Sequence, residues 1–114
     1  YFIRHEGQLA GNIGLYHIDH QNKIAAIGYW LGAAFQGKGI ITEACRKLIA
    51  YGFTELNLNR IEIKCGTGNL KSQAIPERLG FTKEAILRQA ELVNGNFQDL
   101  YLYSLLKEEW AKNT

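Results

Sequence analysis

The sequence predicts a mixed α/β domain: a mostly antiparallel sheet holding one parallel β-α-β pair. Three observations carry this. Short segments that read as strands recur at both ends of the chain, joined by turn residues. One long stretch, Ile41 to Leu56, switches to the 3.6-residue period. A cleanly alternating segment, Arg60 to Cys65, follows it at once. The helix is then a crossover, and right-handed crossover makes the strands on either side of it parallel.

Taken in order, Tyr1 to Arg4 and Leu9 to Ile18 read as strands around the turn "HEGQ", residues 5–8. A second turn, "DHQNK" at 19–23, leads into a third strand, Ile24 to Leu31, completing a meander. The long helix follows. Ile41, Ala44, Cys45, Leu48, Ile49, Gly52, Phe53 and Leu56 share one face; Glu43, Arg46, Lys47 and Thr54 take the other. In the next strand Ile61, Ile63 and Cys65 face one way, and Glu62 and Lys64 the other. "GTGN" leads to a short helix over Ser72 to Leu79, closed by Gly80 with Phe81 packing behind it. Pro76 is tolerable there as a first-turn residue. Lys83 to Val93 and Phe97 to Leu106 form a last strand pair around Asn94-Gly95, a strong hairpin signal.

Bulk properties narrow the function. A chain of 114 residues, 46% hydrophobic and 21% charged, suits one soluble domain. A net charge of +2 is too small to argue for nucleic acid. No apolar run approaches the roughly 18 residues of a membrane span, and no signal peptide opens the chain. Cys45 and Cys65 lack both C-x-x-C spacing and the pattern of a disulfide scaffold, which favours a reducing cytoplasm. The chain opens on Tyr1, inside a strand pattern, so a front segment is expected to be missing.

The chemistry centres on "LGAAFQGKGIITEAC", residues 31–45, a glycine-rich loop ahead of a helix, the usual setting for a phosphate. Gly32 to Lys38 satisfies G-x-x-x-x-G-K, but Gly39 stands where a magnesium-holding Ser or Thr is required. A dinucleotide fingerprint fails because Thr42 stands where its last glycine belongs. What fits is Gln36-Gly37-Lys38-Gly39-Ile40-Ile41-Thr42 as an anion cradle, whose glycines let an anion approach backbone N–H groups at a helix N-terminus.

With this loop the chain resembles the GCN5-related N-acetyltransferases (GNAT), in particular the bacterial ribosomal-protein (RimJ/RimL-like) branch. Gln36 and Gly39 match the family's Q/R-x-x-G-x-G/A acetyl-CoA loop, while Ile41 departs from its last small position. "IGYWL" at 27–31, "ITEAC" at 41–45 and "LNRIEI" at 58–63 resemble the strand, helix and strand around the cofactor. Asn69-x-x-Ser72 with "ERLGF" at 77–81 resembles the branch's second signature, and "NGNFQDLYLYSLLKEEW" at 94–110 its closing hairpin and tail.

The resemblance implies a single GNAT domain over 1–114, lacking its N-terminal strand and helices. It implies two strands, 24–31 and 60–65, that splay to admit the pantetheine arm of acetyl-CoA. The cofactor residues would be Tyr29, Trp30, Leu31, Gln36, Gly37, Lys38, Gly39, Ile40, Ile41, Thr42 and Asn69, with no metal. Glu91 would be the base for the amine and Ser72 the acid for the thiolate. The expected reaction moves an acetyl group to a primary amine, such as the N-terminal amine of a ribosomal protein, in the bacterial cytoplasm. Neither nucleic acid nor membrane would be contacted directly, and a homodimer is a branch habit.

Other readings stay open. The acceptor could instead be a polyamine, an aminoglycoside or an amino acid, or the domain could bind CoA without catalysis. Ser72 could be a plain N-cap, Asn69 a cap or turn residue, and Glu91 a solvated strand carboxylate. Cys65 reads as structural, since buried cysteines are usually inert. His17, Asp19 and His20 read as a surface turn rather than a metal site, lacking a distant third ligand. Tyr29 and Trp30 could line a pocket or belong to the core.

Overall fold

The computed structural model describes residues 2–32 and 39–112. Strands β1 (Phe2–His5), β2 (Gln8–Asp19) and β3 (Ile24–Leu31) precede helix α1 (Ile40–Thr54). Strand β4 (Arg60–Gly66), helix α2 (Leu70–Arg78), strands β5 (Thr82–Val93) and β6 (Asn96–Leu106), and helix α3 (Lys107–Lys112) follow. The described strands form one sheet in the order β1-β2-β3-β4-β6-β5. Among them only the β3–β4 pair, joined through α1, is parallel. The expected architecture is therefore present.

The sheet is built from local chemistry. Glu6 and Gly7 both have positive φ, the conformation of a tight hairpin turn, and Gly7 adopts it without strain. Asp19 closes the β2–β3 turn: its Oδ1 accepts from the N–H of Gln21 and Asn22 at 3.0 and 2.9 Å, and Oδ2 from Asn22 Nδ2. So Asp19 serves this turn, and among the described residues no group of His, Cys, Asp and Glu is placed to hold a metal. Asn94 and Gly95 make the β5–β6 turn, both with positive φ.

One face of the sheet carries the core. Ile41, Cys45, Leu48, Ile49, Gly52 and Phe53 of α1 are buried against Ile13, Ala25, Ile27, Ile61, Ile63, Cys65, Tyr103 and Leu105. The 3.6-residue stripe read from the sequence is this buried face, although α1 ends at Thr54 rather than Leu56. At Gly52 the helix packs tightly on its neighbours: a Cβ there would lie 3.1 Å from Leu58 and 3.2 Å from Ile61. Helix α3, which the sequence pattern does not separate from the tail, folds its Trp110 ring to 5.3 Å from that of Phe53. The Leu106 N–H donates to Glu109 Oε1 at 2.9 Å, capping the helix from inside its first turn.

Two further corrections concern α2. The helix starts at Leu70, capped by Asn69, whose Oδ1 accepts the Ser72 N–H at 3.0 Å. Pro76 is therefore interior, not the first-turn residue that the sequence predicts. The difference comes from the cap: Asn69 opens the helix earlier than Ser72 would, and so places Pro76 deeper in it.

The other face of the sheet holds an ionic cluster. Arg60 donates bidentately to Glu84 at 2.9 Å and to Glu62 at 2.8 Å, and Ser104 Oγ donates to Glu84 at 2.7 Å. These hydrogen bonds from Arg60 and then Ser104 draw the Glu84 carboxyl down to about 2. A depressed folded-state value means the contribution is complete above the ordinary carboxylate range and is lost as pH falls from there towards 2. Glu84→Gln should therefore flatten the loss of stability across that acid range, read as urea midpoints; an unchanged acid limb would show that the pair contributes nothing. Glu84 is well exposed, so solvent screening keeps the effect small.

Candidate functional site

The parallel pair opens. Strands β3 and β4 pair at Ile24↔Arg60, Ala25↔Ile61 and Ala26↔Glu62, and no further. From Ile27 and Ile63 onward their facing backbone edges no longer pair, although each keeps its outer neighbour, β2 or β6. This is the splay expected between segments 24–31 and 60–65. In a parallel crossover the connecting helix begins at the carboxyl ends of the strands, where α/β folds bind ligands.

At that end stands the start of α1. Its N-cap is Gly39 at φ 72°, with no side-chain cap. The earliest intrahelical bond runs from Glu43 N–H to the Gly39 carbonyl at 3.1 Å, so the N–H groups of Ile40, Ile41 and Thr42 are not used within the helix. Among the described residues a Cβ on Gly39 would meet nothing within 4 Å, so there the glycine is demanded by φ and not by crowding. Ile41 is buried in the core, which explains a bulky residue at the departing motif position. Gln36, Gly37 and Lys38 lie outside the described residues.

Strand alternation separates Tyr29 from Trp30. Trp30 is 62% exposed, whereas Tyr29 packs against the core. Leu31 ends the strand, paired with Gly11. The Tyr29 hydroxyl reaches across the splay to α2: its Oη lies 3.2 Å from the Ser72 carbonyl and 3.3 Å from Ser72 Oγ. Cys65, at the end of β4, comes from the other side, its Sγ 3.5 Å from both Ser72 oxygens. Ser72 is thus the third residue of α2 and not its cap, and its hydroxyl sits between a phenol and a thiol. Burial pushes the Tyr29 phenol and the Cys65 thiol above their ordinary values, so both hold their protons. Cys45 is likewise pushed up to about 12 by burial and stays an inert core residue.

Glu91 belongs to a second group. Between Leu87↔Leu100 and Glu91↔Gln98 the register slips, so that residues 88–90 of β5 stand opposite Asp99 alone. Gln89 takes a positive φ at this bulge, and its N–H donates to Asp99 Oδ1 at 2.8 Å. The Asp99 carbonyl accepts from Thr67 N–H at 3.1 Å, tying the bulge to the loop before α2. Beyond it Glu91 accepts a hydrogen bond from Gln98 Nε2, and the Gln98 amide lies across Gly66. Glu91, Gln98, Gly66, Asn69, Lys71 and Val93 are among the lining of an open cleft of about 720 Å³. Ser72 is not in that lining; Asn69 links the two groups through its bond to the Ser72 N–H.

Sequence reasoning missed Gln98, Asp99 and the Tyr29–Ser72 contact. The bulge depends on the pairing of two strands, and the one local hint is the doublet pattern Ile86-Leu87-Arg88-Gln89, which breaks the alternation. Pro76 could have pointed to the contact: a proline inside a helix must free a carbonyl four residues earlier.

The model of the acetyltransferase (GNAT) domain matches residues 1–82. The chain belongs to the GNAT acetyltransferase family. It is 54% identical over 95% of its length to "Putative ribosomal N-acetyltransferase YdaF" of Bacillus subtilis (strain 168), spanning 59% of that protein. It is 39% identical over 91% of its length to the ribosomal-protein-serine acetyltransferase of Escherichia coli (strain K12), spanning 58% of it. A crystal structure of the microcin C7 self-immunity acetyltransferase MccE, in complex with acetyl-CoA and AMP, superposes with a TM-score of 0.86 at 48% identity. That match covers 92% of this chain and 58% of the other. The chain thus spans about three-fifths of the length of these relatives. The sequence-derived family and mixed α/β fold agree with these matches.

Proposed function

We propose that this GNAT chain forms the cofactor-binding and proton-handling part of an N-acetyltransferase that moves an acetyl group from acetyl-CoA to a primary amine. The acceptor we favour is the N-terminal α-amine of a protein such as a ribosomal protein, in line with the names of two relatives. The observation that carries the reading is the opening of β3 from β4 beyond Ala26 and Glu62, beside the uncapped start of α1. The unpaired edges offer amide partners to a pantetheine arm, and the first-turn N–H groups of α1, with Gly39, suit a pyrophosphate.

Acetyl-CoA, when bound, supplies the acetyl group as a thioester. A backbone N–H in the stretch Tyr29 to Leu31 would polarise the carbonyl oxygen. Glu91 would attract the acceptor cation and take one proton, directly or through water, to free the amine for attack, and the second N–H proton would leave to solvent as the C–N bond forms. Ser72 would hand its proton to the sulfur as the C–S bond breaks. Asn69 would hold the start of α2 in place for that transfer, with Trp30, Gln36, Gly37, Lys38, Ile40, Ile41 and Thr42 completing the cofactor's surroundings.

Two measurements test this on the full-length protein. Acetyl-CoA at about 100 times its dissociation constant should stabilise it by roughly 2.7 kcal/mol, visible as a raised Tm. Equal stabilisation by ATP with magnesium would return the loop to a nucleotide role. Labelled acetyl-CoA should then turn over on peptides with a free N-terminus. Turnover on a polyamine instead would move the acceptor to small molecules, and binding without turnover on any amine would leave a CoA-binding module.

Gly39→Val probes the cradle. A branched residue at φ 72° strains the backbone by about 1–2 kcal/mol, and it places a side chain where the anion should lie. Acetyl-CoA affinity by calorimetry should fall well beyond the loss of folding stability; unchanged affinity in the folded variant would refute the cradle.

A further inference from the structure

Pro76 is the seventh residue of α2 and is fully buried. It has no N–H, so the helix cannot supply the usual donor to the carbonyl four residues earlier, that of Ser72. A part-buried carbonyl left this way gains from another partner. Here it finds two, one from each side of the splay: Tyr29 Oη of β3 at 3.2 Å and Cys65 Sγ of β4 at 3.5 Å.

We infer that Pro76 and Tyr29 are positioning residues for the proton donor Ser72: the proline exposes the Ser72 carbonyl, the carbonyl draws the Tyr29 hydroxyl to it, and that hydroxyl holds Ser72 Oγ at the mouth of the splay. This rests on the reading of Ser72 as the donor to the thiolate. The geometry allows it because Tyr29 Oη stands 3.3 Å from Ser72 Oγ as well. With the Tyr29 proton on the carbonyl, the Ser72 hydroxyl has two acceptors in reach, the phenol oxygen at 3.3 Å and Cys65 Sγ at 3.5 Å. When Ser72 releases its proton, the Tyr29 O–H can turn from the carbonyl onto the oxygen left behind. Ser72 then regains a proton from solvent, so that Tyr29 ends the cycle with its own proton and has served as hydrogen-bond donor. The same bridge ties α2 to β3 over the gap where β3 and β4 are unpaired, so the width of the splay and the place of the hydroxyl are set together.

The test is kinetic, with the full-length protein. Tyr29→Phe keeps the ring and loses the bridge. Pro76→Ala, favourable in a helix, supplies an N–H that competes for the Ser72 carbonyl. Each should lower kcat about three- to tenfold, the scale of one hydrogen bond, with the KM for acetyl-CoA unchanged. The double variant should be no slower than Tyr29→Phe alone, because both changes act on one contact. The amide that Pro76→Ala introduces should be protected from hydrogen exchange. A Ser72→Ala enzyme as fast as the parent would overturn the proton-donor reading itself. A slow Ser72→Ala enzyme, with Tyr29→Phe and Pro76→Ala both at the parent kcat, would overturn this inference alone. So would fully additive losses in the double variant.

Discussion

Ser72→Ala and Glu91→Gln should each cut kcat by about 10² to 10⁴, the usual worth of a general acid or base. Acetyl-CoA affinity should hardly change, since neither side chain belongs to the cradle at the start of α1. The pH dependence should separate the two. Most amines are protonated at pH 7 and attack only when neutral. A carboxylate that collects the amine's proton matters most where the free amine is scarce, so the Glu91→Gln deficit should shrink as pH rises. The Ser72→Ala deficit should not follow that curve, because its proton goes to sulfur. Cys65→Ala should cost far less than either. Its thiol is buried and held protonated, the opposite of what a nucleophile requires. Full activity in Ser72→Ala and Glu91→Gln, with an inactive Cys65→Ala, would replace direct transfer by a covalent route.

The elements legible in the sequence are those whose pattern is local. The stripe of α1 and the alternation of β4 predict their own burial, since one face of each meets the core. Asn94-Gly95 predicts its turn because few residues accept the required φ. The family motifs then convert these elements into an order, and the parallel crossover gives the splay. What is not legible depends on partners distant in sequence. The slip that leaves Asp99 facing residues 88–90 is a property of two strands together, and it decides what surrounds Glu91. The start of α2 is hard to place because Asn69 reads as a ligand contact as readily as a cap. With the helix starting at Leu70, Pro76 is no longer a tolerated first-turn residue but the one that frees the Ser72 carbonyl.

Phe53→Ala should be strongly destabilising, at about 3–5 kcal/mol. Phe53 is fully buried near the end of α1, and its ring stacks at a tilt on Trp110 of α3. Removing it forfeits the ring's transfer free energy and leaves a cavity that cannot collapse easily. On one side is the last full turn of α1, closed by the Glu55 N–H on the Tyr51 carbonyl; on the other is a six-residue helix whose place depends on Trp110. A domain of this size has only about 5–15 kcal/mol in total, so a large part of its stability should go with one side chain. The contrast is Phe97, 65% exposed at the β5–β6 turn, where truncation to Ala should stay within about 0.5 kcal/mol. Urea midpoints of the two variants give the comparison directly. In Phe53→Ala the released Trp110 should also report in its fluorescence, shifting to the red in the native baseline. Equal midpoints for the two variants would mean that α3 does not cover α1 and that the core ends at Ile49 and Leu48.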